Sequence, residues 1–98
     1  MVDDLWWRDE DADYIRRRSD RYPGATNIET DWTLEAAADP RRIVHDPDPK
    51  SLTGAVRIIG FSSSAGFVVT VIATGGVHAG VTAWKSSGVD LRAYEGQG

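Results

Sequence analysis

Five side chains in the second half of the chain are of types that could handle a phosphodiester without a metal ion. They are Arg57 within a predicted strand, Lys85 at the end of another, His78 in the turn before it, and Arg92 and Tyr94 in the tail. Cleavage of RNA at its 2′-OH needs a base, a cation beside the pentavalent phosphate and a proton for the leaving oxygen. The alternative is structural: Arg57 is a paired residue of the sheet, and Tyr94 is a lid on the core.

A second set of basic residues is a candidate for RNA contacts: Arg16, Arg17, Lys50 and His78. The arginines at 16–18 are consecutive, so in a helix they fan about 100° apart and form no single patch. Asp13 and Asp20 are spaced to pair with Arg17 and Arg16, respectively. This basic cluster is therefore either a solvated, internally paired helix face or a contact for RNA or an acidic partner.

Other chemistries find little support. The chain has no cysteine, and its two histidines, His45 and His78, lack the spacing of a metal site, so neither a metal nor a cofactor is expected. Residues 60–66 resemble a phosphate-binding loop but lack its Gly-Lys-Ser/Thr ending and join two strands, which favours a hairpin turn. A nucleophilic Ser64 would need a base that the sequence does not place.

Composition bounds the class of protein. A chain of 98 residues that is 41% hydrophobic fits one domain, residues 1–98, with one modest core. The net charge is −4: residues 1–49 carry 7 Arg against 13 Asp and Glu (−6), and residues 50–98 carry 4 Lys and Arg against 2 acids (+2). No apolar run approaches the ~20 residues of a membrane span, and the N-terminus is acidic where a signal peptide is basic. We therefore expect a cytoplasmic protein without a membrane partner.

Three strands form the centre of the predicted fold, over residues 55–62, 67–74 and 80–85. They are rich in β-branched and aromatic residues and are joined by short turns that contain glycine, which predicts an antiparallel meander. Because alternate residues face opposite sides, both faces of this sheet are mostly apolar and need cover or a partner. We expect Arg57 and Lys85 to lie together on one side.

Helices are predicted before and after the strands. Residues 9–22 have acids first and arginines last and end at Pro23-Gly24, and a second helix begins at Thr30 or Asp31 and ends before Asp39-Pro40. Residues 41–46 are compatible with a short strand, and Val89–Tyr94 with a short C-terminal helix. The fold class is α+β: two N-terminal helices packed on a three- to four-stranded antiparallel meander sheet. The adjacent Trp6 and Trp7 fit a hydrophobic clasp or an interaction anchor.

The order of several short motifs is similar to that of a known toxin family. The motifs are Trp32-Thr-Leu-Glu-Ala-Ala-Ala-Asp-Pro40, Arg57-Ile-Ile-Gly-Phe-Ser62, Phe67-Val-Val-Thr-Val-Ile72, Thr82-Ala-Trp-Lys85 and Arg92-x-Tyr94. In this order they resemble the BrnT family of type II toxins over roughly residues 28–95. The chain differs from the family pattern at Trp84, where the family usually has an arginine.

The resemblance implies a RelE-like fold and a metal-independent ribonuclease that acts on mRNA, on or off the ribosome, to arrest translation. It implies a cognate antitoxin that covers the sheet and through which alone the pair binds operator DNA. Carried over by position, the catalytic residues are Arg57, Lys85, Arg92 and Tyr94. The alternative is a non-catalytic α+β module that keeps the scaffold to bind a protein partner.

Overall fold

The computed structural model describes residues 4–97; Met1–Asp3, part of the acidic N-terminus, and Gly98 lie outside the described residues. Four strands form one antiparallel sheet in the order β1-β2-β3-β4, and the described helices precede and follow it. The elements are α1 (Asp9–Arg16), α2 (Arg18–Arg21), α3 (Thr30–Ala38), β1 (Ile43–His45), β2 (Val56–Ser62), β3 (Phe67–Ala73), β4 (Gly80–Lys85) and α4 (Gly88–Glu95). The predicted α+β class, the antiparallel meander and the C-terminal helix are confirmed.

The first predicted helix is divided in two. Arg17 adopts φ −115° and ψ 29°, which ends α1, and one further turn, α2, follows. Ala12 and Ile15 of α1 are buried, whereas Tyr22, just after α2, is exposed. The single turn of α2 has little apolar surface to hold it in register with α1.

One face of the sheet, which we call the core face, carries the hydrophobic core. It packs against Ile15 of α1, Ile28 and the alanines of α3, and its buried residues are Val56, Ile58, Val69, Val71, Ala73 and Ala83. A fully buried isoleucine or valine contributes about 1.5–3 kcal/mol relative to an exposed one. Gly60 lets α3 approach this closely, since a Cβ atom at residue 60 would lie 2.1 Å from the backbone oxygen of Ala36.

The opposite face, which we call the outer face, is covered only in part. It carries Arg57 and Ile59 of β2, Thr70 and Ile72 of β3 and Trp84 of β4, as the strand register requires. Helix α4 lies across β2 and β3 on this side, yet none of its own residues is buried. The rest of the outer face is open at one end, beside the loop that precedes β2.

The N-terminal segment is fastened to the start of β4. Trp6 forms a parallel bridge with Ala79, and the indole Nε1 of Trp7 donates to Thr33 Oγ1 over 2.8 Å. Leu5 is buried and Trp7 is half-buried, whereas Trp6 is exposed. Of the two tryptophans predicted to form a clasp, Trp7 thus does so, together with Leu5, and Trp6 stays exposed. No helix among residues 4–97 is long and apolar enough to span a membrane.

Candidate functional site

Arg57 is held in a buried ion cluster. Its Nε donates to Asp48 Oδ2 over 3.0 Å and its Nη1 donates to Asp90 Oδ2 over 2.8 Å. The side chains of Arg57, Asp48 and Asp90 are only 12%, 5% and 16% exposed. Two carboxylates from two different segments therefore neutralise the one guanidinium. This is the arrangement expected if Arg57 is a paired residue of the sheet.

Two guanidinium groups contact the ring of Trp84. The Cζ of Arg57 lies 5.5 Å from the ring centroid and the Cζ of Arg18 lies 5.6 Å from it. Arg18 also donates from Nη1 to Thr82 Oγ1 over 3.3 Å. Arg18 was not among the predicted site residues. Its spacing offered a signal, because position 18 follows the buried Ile15 by three residues and so faces the sheet if the helical path continues.

Lys85 lies on the other face of the sheet from Arg57. Arg57 pairs with Ile72, which pairs with Thr82, whereas Lys85 is three residues further along β4 and pairs with Val69. An odd separation along a strand reverses the direction of the side chain. Lys85 Nζ accordingly lies 5.1 Å from the ring centroid of Phe67, at the edge of the core face. The expectation that Arg57 and Lys85 share one side is wrong.

Tyr94 is used to fasten α4. Its hydroxyl donates to Asp39 Oδ2 over 2.5 Å, and burial together with this carboxylate raises the pKa of Tyr94 to about 12. The same Oδ2 accepts the amide N–H of Phe61 over 2.8 Å, and Oδ1 accepts that of Arg41 over 2.9 Å. Burial acts to raise the pKa of Asp39, but these hydrogen bonds outweigh it and the pKa is lowered. A phenol with so high a pKa is a poor proton donor at neutral pH.

Arg16 and Arg17, which were proposed for RNA contacts, are already paired, and the side chain of Arg92 is isolated. Arg16 pairs with Glu29 at 3.4 Å and with Asp13 at 3.8 Å, and Arg17 pairs with Asp20 at 3.2 Å. The predicted pairing partners are therefore exchanged, because pairs three residues apart replace those expected four apart. Arg92 is exposed on α4, and its side chain has no hydrogen bond or ion pair within residues 4–97.

His78 belongs to the N-terminal fastening. It is buried in the turn before β4 with φ +52°, and its Nδ1 donates to Asp4 Oδ1 over 2.5 Å. This hydrogen bond lowers the pKa of Asp4. His78 thus lies at the far end of β4 from Lys85.

Lys50 is the one proposed RNA-contact residue that the structure brings beside Arg57. Both line a cavity of about 510 Å³ at the open end of the outer face, which we call the groove. Its walls come from the loop before β2, from β2 and β3, and from the start of β4. The lining residues are Asp48, Lys50, Ser51, Thr53, Ala55, Arg57, Ile72, Thr74, Gly75 and Val81.

Ser64 does have a carboxylate beside it. Glu35 of α3 accepts hydrogen bonds from Ser62 Oγ at 2.7 Å, from Ser64 N at 2.9 Å and from Ser64 Oγ at 2.5 Å. These bonds lower the pKa of Glu35, with the Ser64 hydroxyl acting most strongly. A carboxylate of lowered pKa is a weak general base, so this contact fixes the β2–β3 turn to α3 rather than activating a nucleophile.

No cluster of three or more histidine or acidic side chains suited to a metal ion occurs within residues 4–97. Among the described residues, the outer face carries the Arg57 ion cluster, the Trp84 ring between two cations, and the groove. Compared with models of known protein families, the chain matches none of them, and no curated protein matches its sequence.

Proposed function

We propose that this chain is a partner-binding α+β module on a scaffold that resembles the BrnT toxins and their RelE-like fold, and that it acts through a protein contact at the groove. The observation that carries this proposal is the separation of Arg57 and Lys85 onto opposite faces. Two cations on opposite faces cannot stabilise one phosphate, and the guanidinium of Arg57 is already neutralised by Asp48 and Asp90.

Apolar side chains at the rim of the groove support protein binding. Leu52, in the loop that borders the groove, is 102% exposed, and Val81, which lines the groove, is 44% exposed. Val77, two residues from the groove-lining Gly75, is also exposed. Large apolar side chains gathered around a cavity are typical of interaction sites, because a partner removes their surface from water. The partner that the resemblance implies is a cognate antitoxin.

The test is co-purification of the tagged chain with the product of the reading frame next to its own. We expect a stable complex that Leu52→Asp and Val81→Asp weaken at least tenfold. Leu34→Asp is the matched control, because Leu34 is 42% exposed but belongs to α3 on the core side of the sheet. Failure of the neighbouring product to bind, or an equal effect of all three substitutions, would overturn the proposal.

A second candidate is the ribonuclease toxin that acts on mRNA. It is favoured by one arrangement: Arg18 and Arg57 flank Trp84, and Lys50 lines the groove beside Arg57, so cations do gather on the outer face. Expression of the chain alone tests it. Growth arrest with RNA cleavage, abolished by Lys50→Ala and unaffected by Leu34→Ala, would establish this function in place of the first.

A further inference from the structure

Part of the Arg57 guanidinium remains open to solvent. Nε and Nη1 have carboxylate partners, but Nη2 has no hydrogen-bond partner within residues 4–97. In the same part of the chain the only buried side-chain polar atom without a partner is Arg42 Nε, so Nη2 of Arg57 is not buried. Because Arg57 lines the groove, its Nη2 offers N–H donors to an incoming anion.

The exposed charge at the groove is that of Lys50, although the chain as a whole is acidic. Asp48, the one acid among the described lining residues, is buried, with Oδ2 accepting from Arg57 Nε and Oδ1 accepting from the Lys50 amide over 3.1 Å. The ammonium group of Lys50 is exposed at the same site. An anion in the groove would therefore meet the ammonium group of Lys50 and the unpaired Nη2 donors of Arg57, whose own charge Asp48 and Asp90 balance.

The rest of the lining is apolar and small. Ile72 and Ala55 lie beside Arg57, and Val81 continues this surface onto β4. None of the described lining residues is aromatic, and the ring of Trp84 is already contacted by Arg18 and Arg57. Nucleobases bind single-strand sites chiefly by stacking on open aromatic rings. The groove therefore favours an aliphatic side chain over a base.

We infer that the groove binds an extended segment of the protein partner that carries a carboxylate side chain, with an aliphatic side chain two positions further on. The carboxylate accepts hydrogen bonds from Arg57 Nη2 and from Lys50 Nζ. The aliphatic side chain packs on Ile72 and Val81, since side chains two apart in an extended chain point the same way about 7 Å apart. This inference rests on the proposed function and names the chemistry of the partner.

The experiment is a titration of the ¹⁵N-labelled chain, followed by NMR, with two blocked peptides, acetyl-Glu-Ala-Leu-amide and acetyl-Gln-Ala-Leu-amide. We expect the acidic peptide to shift the signals of the Lys50 amide, the Arg57 Nε–H and Ile72, and to bind at least about tenfold more tightly than the amide analogue, because a charge-assisted hydrogen bond is lost. Lys50→Glu should abolish this preference, while Lys85→Glu, on the other face, should preserve it.

The outcomes separate this inference from the proposed function. Equal binding of both peptides, or no binding of either, overturns carboxylate recognition. A partner complex that survives Lys50→Glu leaves the protein-binding function standing and overturns the groove as the acid-binding site. Shifts of the same signals by a short RNA oligonucleotide, with none by the acidic peptide, would overturn it in favour of nucleic acid.

Discussion

Arg57 and Asp90 join the start of β2 to the first turn of α4 through a 2.8 Å hydrogen bond between Nη1 and Oδ2. The same Oδ2 accepts from the hydroxyl of Thr70 over 3.1 Å. Because that hydroxyl donates its only hydrogen to Asp90, the Ser86 hydroxyl 2.7 Å away donates to Thr70. One carboxylate thus connects two strands, the residue after β4 and a helix.

Arg57→Ala is expected to destabilise the fold far more than Lys85→Ala. Removal of Arg57 leaves Asp48 and Asp90 buried without their cation, a loss of about 3–5 kcal/mol when a buried pair is broken. Lys85 is exposed, and its ammonium group lies over the Phe67 ring, a contact worth about 0.5–1 kcal/mol. Urea unfolding followed by tryptophan fluorescence measures both. Equal losses would show that the ion cluster contributes little.

Gly60→Ala should separate α3 from the sheet. The added methyl group would lie 2.1 Å from the backbone oxygen of Ala36, so the helix or the strand must move. We expect a loss of about 2–3 kcal/mol, in the upper range of overpacking costs. Gly24→Ala is the control, since residue 24 has open space around it and only its φ of +88° opposes a side chain, at about 1–2 kcal/mol. Thermal unfolding that ranks Gly24→Ala as the more damaging change would contradict this account of the interface.

Gly80→Ala is expected to displace the ring of Trp7. A Cβ atom at residue 80 would lie 2.4 Å from that ring, which the 2.8 Å hydrogen bond to Thr33 Oγ1 holds in place. The half-buried indole should then enter water, and the emission maximum should move to longer wavelength. Gly76→Ala, in the neighbouring turn, meets open space and is opposed only by the φ of +82°, so it should leave the ring of Trp7 and the emission maximum unchanged. An unshifted spectrum for Gly80→Ala would mean that this contact yields easily.

Asp39 should make the fold sensitive to acid. Because its pKa in the fold is lowered below the ordinary 3.8, its ionised form is favoured by folding. The contribution of the ionised Asp39 to the stability of the fold is complete well above pH 3.8. It is lost as the pH falls through the lowered pKa of Asp39. Asp39→Asn should therefore reduce the Tm at pH 7 but flatten its fall between pH 5 and 3. A Tm profile parallel to that of the wild-type chain would show that the charge of Asp39 has no such role.

The alternation of side chains along each strand could be predicted from the sequence, but the register between β3 and β4 could not. Arg57 was placed correctly relative to its neighbours in β2, because the period of two follows from the backbone alone. The face of Lys85 depends on the pairing of β4 with β3, where a register irregularity lies between Ile72 and Ala73. No local pattern in the residues between these strands indicates that shift.

The hydrogen-bond partners of the candidate residues could not be predicted from the sequence for a similar reason. Asp48 comes from a loop, and Asp90 is 33 residues from Arg57 along the chain. Glu35 and Ser64 meet because α3 packs on the sheet next to the β2–β3 turn, 29 residues away. Short-range rules gave the helices and strands to within about two residues at most ends, as such rules do, while these contacts depend on how the elements pack.

Helix α4 buries no residue of its own and is fastened by Asp90 and Tyr94. Its amide protons should therefore exchange with solvent through local opening, at a small fraction of the free energy of global unfolding, whereas those of β3, with buried residues on both faces, should exchange only when the whole chain unfolds. The C-terminal turns are thus expected to unfold and refold locally on a sheet that stays folded.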